Sequence, residues 1–382
     1  METRQPEGED MVIFFNPKKR MKKTILIFLL LSVTIALQAK ILMTPYLQAV
    51  TTNSVYVLVE CDSRDTVWVD YGRTAAYGRT ATASIVSTTN AKVPTYVHKI
   101  QLTGLKANSA YYYKARQGKN QCDGSVFHTA VEAGTTFRLL FMADFRTNTS
   151  VHDKIAKLAA DTYPQVAIYG GDLCVNGDYT SWKKEFFRSN ELDLISKVPF
   201  FNATGNHEGN GPNTTAFLRN PESASKSQQY YSFDYGDLHV LVLNTEIDLK
   251  PGSPQYRFAK EDLEAASTSW KVVVAHSPAY CAGGHGEDTN MVRMTKNLFE
   301  PNNVDLVLSG HSHFYQHNLV NGIHHLVIGS VGAPLYDPEK ASYTLVSLKD
   351  YCWALLDVKY SRLTLTVYNA RNEKLDMVDL KK

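Results

Sequence analysis

Apolar and polar positions change rhythm once along this 382-residue chain, close to position 136. From Ile41 to about Thr135, short alternating segments at Ser54–Glu60, Thr66–Tyr71, Thr95–Leu102, Ala110–Arg116 and Gly124–Thr129 are broken by turn residues. Period-two runs at this spacing predict an antiparallel β-sandwich over residues 40–135. From Phe137 the apolar runs become continuous, at Phe137–Ala143, Gln165–Tyr169, Val198–Ala203, His239–Asn244, Lys271–Ala275, Val304–Ser309 and His324–Ile328. Helix-like stretches separate them at Ser150–Thr162, Ser181–Ser196, Ala259–Ala266 and Asn290–Phe299. Strands apolar on both faces are those covered on both faces, so residues 136–382 read as an α/β layered domain, its sheets flanked by helices. The tail from Ser342 is strand-rich again and completes a sheet.

The first 39 residues do not resemble a folded domain. A basic cluster of Lys18, Lys19, Arg20, Lys22 and Lys23 precedes Ile25–Ala39, a run of 15 residues without a charge. That run is shorter than the roughly 18 to 20 residues needed to span a bilayer, and Ala39 suits cleavage before Lys40. Residues 1–39 therefore read as a secretory signal, with an uncleaved anchor as the alternative. Met21 opens a conventional signal, which would make residues 1–20 an over-long start. No cysteine lies at the expected cut, so a lipid anchor is not supported.

Composition narrows the function classes. The 44% hydrophobic content excludes disorder, and a formal charge of +2 gives no field that argues for nucleic acid or an anionic membrane. Residues 1–39 hold six of the 40 basic and four of the 38 acidic side chains, leaving 34 of each in the exported chain. Any attraction for phosphate must then be local. Five cysteines form no CxxC pair, which excludes a zinc ribbon or a thioredoxin-type site. Export would allow Cys61 and Cys122 to pair, while Cys174 and Cys281 read as buried apolar residues.

Chemistry gathers at the strand ends. Asp144 follows Leu-Leu-Phe-Met-Ala, Asp172 follows Ile-Tyr-Gly-Gly, and Asn206 and His207 lie in Ala-Thr-Gly-Asn-His-Glu. His276 follows Val-Val-Val-Ala, and His311 and His313 close Leu-Val-Leu-Ser-Gly-His-Ser-His. Each element alone has a plain reading as a turn or a cap. Together they converge, because strand C-termini of an open α/β sheet meet at one crevice. Carboxylate, imidazole and amide-oxygen ligands suit Zn, Mn or Fe rather than a thiolate-type site.

In this order, Asp144, Gly171-Asp172, Gly205-Asn206-His207-Glu208, His276 and Gly310-His311-Ser312-His313 resemble the calcineurin-like metallophosphoesterases. Within the sandwich, Leu102–Ala115 resembles the strand-turn-strand passage of fibronectin type III domains, where a tyrosine bonds back to backbone at the corner. A fibronectin-like sandwich ahead of this domain is most similar to the purple-acid-phosphatase branch. The resemblance implies that Asp172 bridges two metal ions, with Asn206, His276 and His311 completing one site and Asp144 and His313 belonging to the other. It also implies that His207 contacts phosphate, and that His285, nine residues beyond His276, lies on the substrate side.

Two positions depart from the pattern. Many superfamily members carry histidine two residues after the first aspartate, where this chain has Arg146; the purple branch carries tyrosine three residues after the bridging aspartate, where it has Val175. The first metal site is thus one protein ligand short, and the phenolate-to-iron colour should be absent. Water could fill the gap, the site could be weak, or Arg146 could replace the charge by binding phosphate directly; a weaker but occupied site is the first expectation. Asn148, in Asp-Phe-Arg-Thr-Asn, is a further candidate phosphate contact.

The expected activity is hydrolysis of phosphomonoesters by a metal-bound hydroxide at a two-metal site, the ions lowering the pKa of bound water from about 15.7 toward about 7. His207, His285 and Arg146 would stabilise the transition state, with Asn148 helping to bind a small phosphorylated substrate. No protein nucleophile is needed. Phosphodiesters, nucleotides and pyrophosphates fit the same motif, and a secreted binding protein that has lost catalysis is the alternative from another class.

Overall fold

The computed structural model describes residues 40–382, which form one compact unit; the predicted signal, residues 1–39, lies outside them. Among the described residues no helix is long and apolar enough to cross a membrane.

The two sequence rhythms give two packed pairs of sheets. In the first, a five-stranded sheet built on Val67–Gly72 and Ala110–Gln117 faces Val55–Cys61 and Tyr96–Leu102, and Val57, Val59, Ile100, Val69, Tyr113 and Phe127 fill the space between. The hydroxyl of Tyr111 accepts from the backbone N–H of Lys106 at 3.0 Å, a tyrosine bond back to the corner. All five cysteines are free thiols, including Cys61 and Cys122.

In the second, the parallel strands Phe137–Met142, Val166–Tyr169 and Phe200–Asn202 lie in one sheet, and Leu238–Leu243, Trp270–Ala275 and Leu306–Ser309 in the other. Alternate residues divide between the two faces. Leu139 and Phe141 meet Val240 and Val274 between the sheets, while Leu140 and Met142 meet the helices Thr149–Ala160 and Ser189–Ile195 outside. On the far side Leu241 and Val273 pack on Pro254–Ala265 and Thr289–Met294. Burial on both faces accounts for the unbroken apolar runs. The tail completes the first sheet through Cys352–Lys359, which pairs antiparallel with Phe137–Met142.

The sandwich and the layered domain share a sheet. Tyr46–Gln48 pairs antiparallel with Val55–Cys61 and, at Gln48 opposite Phe200, parallel with Phe200–Asn202, making one ten-stranded sheet. Tyr113 Oη donates to the Ser196 carbonyl at 2.7 Å, and Lys99 Nζ caps the carbonyls of Thr215 and Leu218, each at 2.7 Å.

The helix expected over Ser181–Ser196 is broken: a short turn at Tyr179–Ser181, a π-helical turn at Trp182–Phe186, then Ser189–Ile195. Phe187 leaves helical geometry with ψ 56°, and the Glu185 carbonyl accepts from His152 Nδ1 at 2.9 Å. Likewise Asn290–Phe299 divides into an α-helix to Met294 and a π-turn.

Candidate metal centre

Parallel strands end on one rim, and the predicted residues follow those ends. Asp144 comes two residues after Phe137–Met142, Asp172 three after Val166–Tyr169, His276 directly after Trp270–Ala275, and His311 two after Leu306–Ser309. Asp144, Asp172 and His311 all have left-handed backbones, with φ of 58°, 55° and 67°. Such conformations are costly for residues other than glycine and gather at functional sites. The glycines preceding two of these residues have a steric reason. A Cβ on Gly171 would lie 2.7 Å from the Gly205 nitrogen and 2.8 Å from His276 Nδ1, and one on Gly310 would collide with the Asp144 carboxylate.

Ligand atoms of Asp144, Asp172 and His276 lie within 4.8 Å of one another, all buried. His276 Nδ1 donates to the Gly170 carbonyl at 2.8 Å, which leaves Nε2 as the lone-pair nitrogen. Facing it are Asp172 Oδ1 at 3.3 Å, Asn206 Oδ1 at 3.0 Å and His311 Nδ1 at 3.2 Å. His313 repeats the device: Nδ1 donates to the Pro334 carbonyl at 2.7 Å, and Nε2 is 3.5 Å from Asp144 Oδ1. Acceptors turned on acceptors in a buried site require a cation or a proton among them. Among the protein groups alone, burial opposes charge on His276, yet Asp172, Asp144 and Glu208 lift its pKa to about 9. Burial and then His276 bring the adjacent His311 down to about 3. The donor set therefore fits a borderline metal ion, which would satisfy every acceptor at once.

Arg146 enters this set directly. Its Nε is 3.4 Å from Asp172 Oδ2 and its Nη2 is 3.3 Å from His313 Nε2. His207 donates its backbone N–H to Asp172 Oδ1 at 3.0 Å and its Nδ1–H to the Val175 carbonyl at 2.7 Å, bringing Nε2 to 3.7 Å from Asp172 Oδ2. His285 lies exposed on the rim, its ring stacked on His311 at 4.3 Å between centroids. Burial and the nearby His313 lower its pKa. Asn148 is elsewhere: its side chain donates to Tyr351 Oη at 3.1 Å and accepts from Ser150 Oγ at 2.9 Å.

Three supporting residues escaped the sequence reading. Glu185, on the π-turn, accepts the backbone N–H groups of Thr147 and Val175, tying together the loops after Asp144 and Asp172. Glu208 accepts from the N–H groups of Gly205 and Leu173, and burial followed by Asp172 carries its pKa up to about 7. Tyr336 stacks on His313 at 4.2 Å and meets His285 edge-on at 5.3 Å. Glu208 lies inside a quoted motif, Glu185 inside the expected helix Ser181–Ser196, and Tyr336 in a segment without periodic signal.

Residues 137–315 match the family model described as Calcineurin-like phosphoesterase. Over these residues the chain is similar to the calcineurin-like phosphoesterases in sequence pattern and in the placing of the site. Within that class the likeness is to the purple acid phosphatases. The chain is 29% identical over 244 residues to Probable purple acid phosphatase 20 of Arabidopsis thaliana, a match covering 58% of this chain and 55% of that one. It is 28% identical over 235 residues to Probable inactive purple acid phosphatase 9 of the same plant, covering 47% and 36%. The chain thus spans about half, or less, of these curated relatives. A purple acid phosphatase from yellow lupin (Lupinus luteus) seeds shares the fold at a TM-score of 0.78 and 19% identity, over 89% of this chain and 74% of that one.

Proposed function

We propose that this chain is an exported, metal-dependent phosphoesterase that hydrolyses phosphomonoesters. The observation that carries the reading is the convergence of Asp172 Oδ1, Asn206 Oδ1 and His311 Nδ1 on the lone-pair nitrogen of His276. Two adjacent cation positions share Asp172: one among Asp172, Asn206, His276 and His311, the other among Asp144, Asp172 and His313. A bound Zn, Mn or Fe ion supplies Lewis-acid polarisation of a phosphoryl oxygen and acidifies water. Asp144 and Asp172 provide the negative charge that retains it. His207 and His285, on the open side, are suited to hold equatorial oxygens or to protonate the leaving alkoxide. Hydrogen bonds to the Gly170, Pro334 and Val175 carbonyls fix three imidazoles in one tautomer, so no reorganisation is needed when charge develops.

Export rests on the signal-like residues 1–39. The match to relatives named as purple acid phosphatases supports the reaction class. A second reading, a secreted binding protein without catalysis, draws on the bonds of Arg146 to Asp172 and His313. One assay separates the two: the purified protein, supplied in turn with Zn, Mn and Fe, is offered an aryl phosphomonoester and the matching diester. Faster turnover of the monoester supports the proposal. Faster turnover of the diester reassigns the substrate, and no turnover with any metal overturns the enzyme reading.

A further inference from the structure

We propose that Arg146 is the second cation of this centre, its guanidinium taking the position between Asp172 and His313 so that the chain binds one metal ion rather than two. The inference rests on the metal-dependent reading above and concerns only the position adjoining His276. Two of the three donors available there are already engaged. Arg146 Nε faces Asp172 Oδ2 at 3.4 Å, and Arg146 Nη2 faces His313 Nε2 at 3.3 Å. Because His313 Nδ1 gives its proton to the Pro334 carbonyl, Nε2 is an acceptor and the guanidinium donates into it. The remaining donor, Asp144, accepts the His311 backbone N–H at 3.2 and 3.0 Å on its two oxygens.

Asp172 keeps a bridging geometry with unlike partners. Oδ1 faces His276 Nε2 at 3.3 Å and Oδ2 faces the guanidinium. The Arg146 side chain is 11% exposed and that of Asp172 1%, so water screens the pair poorly. Val175 has no donor atom in its side chain, which is exposed, and its own N–H and carbonyl are held by Glu185 and His207.

An incoming ion would have to displace a bound cation and then stand beside it. In exchange for a smaller charge, the planar fork supplies directed N–H groups to phosphoryl oxygens. On this assignment Arg146 is a catalytic residue that touches substrate.

The test is metal content with a spectroscopic readout. Full-length protein is loaded with excess Mn(II), freed of unbound ion, and measured by elemental analysis and electron paramagnetic resonance. One Mn per chain with the sextet of an isolated ion is expected. In Arg146→His, which restores the family's histidine, a second ion per chain and the multiline spectrum of a coupled pair are expected. Two ions per chain in the wild type, or a coupled spectrum, overturn the inference even if the variant does not fold. One ion without turnover supports it while overturning the hydrolytic reading; no ion overturns both.

Discussion

Nδ1 of His276 donates to the carbonyl of Gly170, only two residues before Asp172. One strand end, that of Val166–Tyr169, thus sets the tautomer of one proposed ligand and supplies another. Metal retention should depend steeply on this end. Asp172→Ala is expected to lose bound metal and turnover together, both to background, by elemental analysis and a chromogenic aryl phosphate assay. A variant that keeps its ion would remove Asp172 from the ligand set.

His285 touches the proposed ligand set through its ring, stacked on His311 and edge-on to His313. His285→Ala is expected to retain its metal and to lower kcat by about 10²- to 10⁴-fold, the range for a lost proton donor. Unchanged turnover would exclude the residue from the mechanism.

A methyl group at residue 310 would push on the Asp144 carboxylate and meet Ala143 Cβ at 2.8 Å. Because Asp144 holds the backbone N–H of the proposed ligand His311, Gly310→Ala is expected to weaken metal binding by about 10- to 100-fold in a chelator competition, the size seen for displaced supports of a metal ligand. An unchanged affinity would mean that the loop yields without moving Asp144.

Glu60, wholly buried in the sandwich, accepts from Lys183 Nζ at 2.7 Å, Tyr179 Oη at 2.8 Å and Thr95 Oγ1 at 2.6 Å. Lys183→Met leaves that carboxylate without a counter-charge and should cost about 3 kcal/mol in a denaturant melt. Adding Glu60→Gln should recover most of the loss. A single variant as stable as the wild type would refute the coupling.

His239 stands between Asp234 at 2.7 Å and Asp262 at 2.8 Å. Burial opposes its charge, but the two carboxylates lift its pKa from 6.5 to about 9. The folded state therefore holds the proton more tightly than the unfolded chain. Its contribution, at most about 3 kcal/mol, is full below about pH 6.5 and is lost as pH rises through about 9. Thermal melts of the wild type should fall over that window, and those of His239→Gln should fall less. Parallel curves would mean the imidazolium adds nothing.

The proposed ligand residues could be picked out in the sequence because each follows a strand whose two buried faces write an unbroken apolar run. Asp144 after Leu-Leu-Phe-Met-Ala and His276 after Val-Val-Val-Ala are the clearest cases. The strands Arg79–Thr82 and Ile85–Thr88 were missed because they are mostly exposed and have no apolar face to reveal them. Glu185 was hidden by the opposite fault. Its surroundings read as continuous helix, whereas the loops after Asp144 and Asp172 claim its carboxylate and the helix yields in a π-turn. The orientation of Asn148 could not be read either, because proximity in sequence to Asp144 does not survive the turn: its amide points to Tyr351. The departure at Arg146 was plain in the sequence, but its bonds to both Asp172 and His313 needed three dimensions.

The pairing of Gln48 with Phe200 bears on how the chain can be cut. A fragment starting at residue 136 would strip Tyr46–Gln48 from Phe200–Asn202 and leave that strand's hydrogen-bonding edge bare. It would also uncover the Ser196 carbonyl that Tyr113 now satisfies. Bare edges recruit other chains. The amino-terminal module therefore serves the rest of the molecule as a built-in guard against aggregation, and it cannot be exchanged for a different module without a replacement strand.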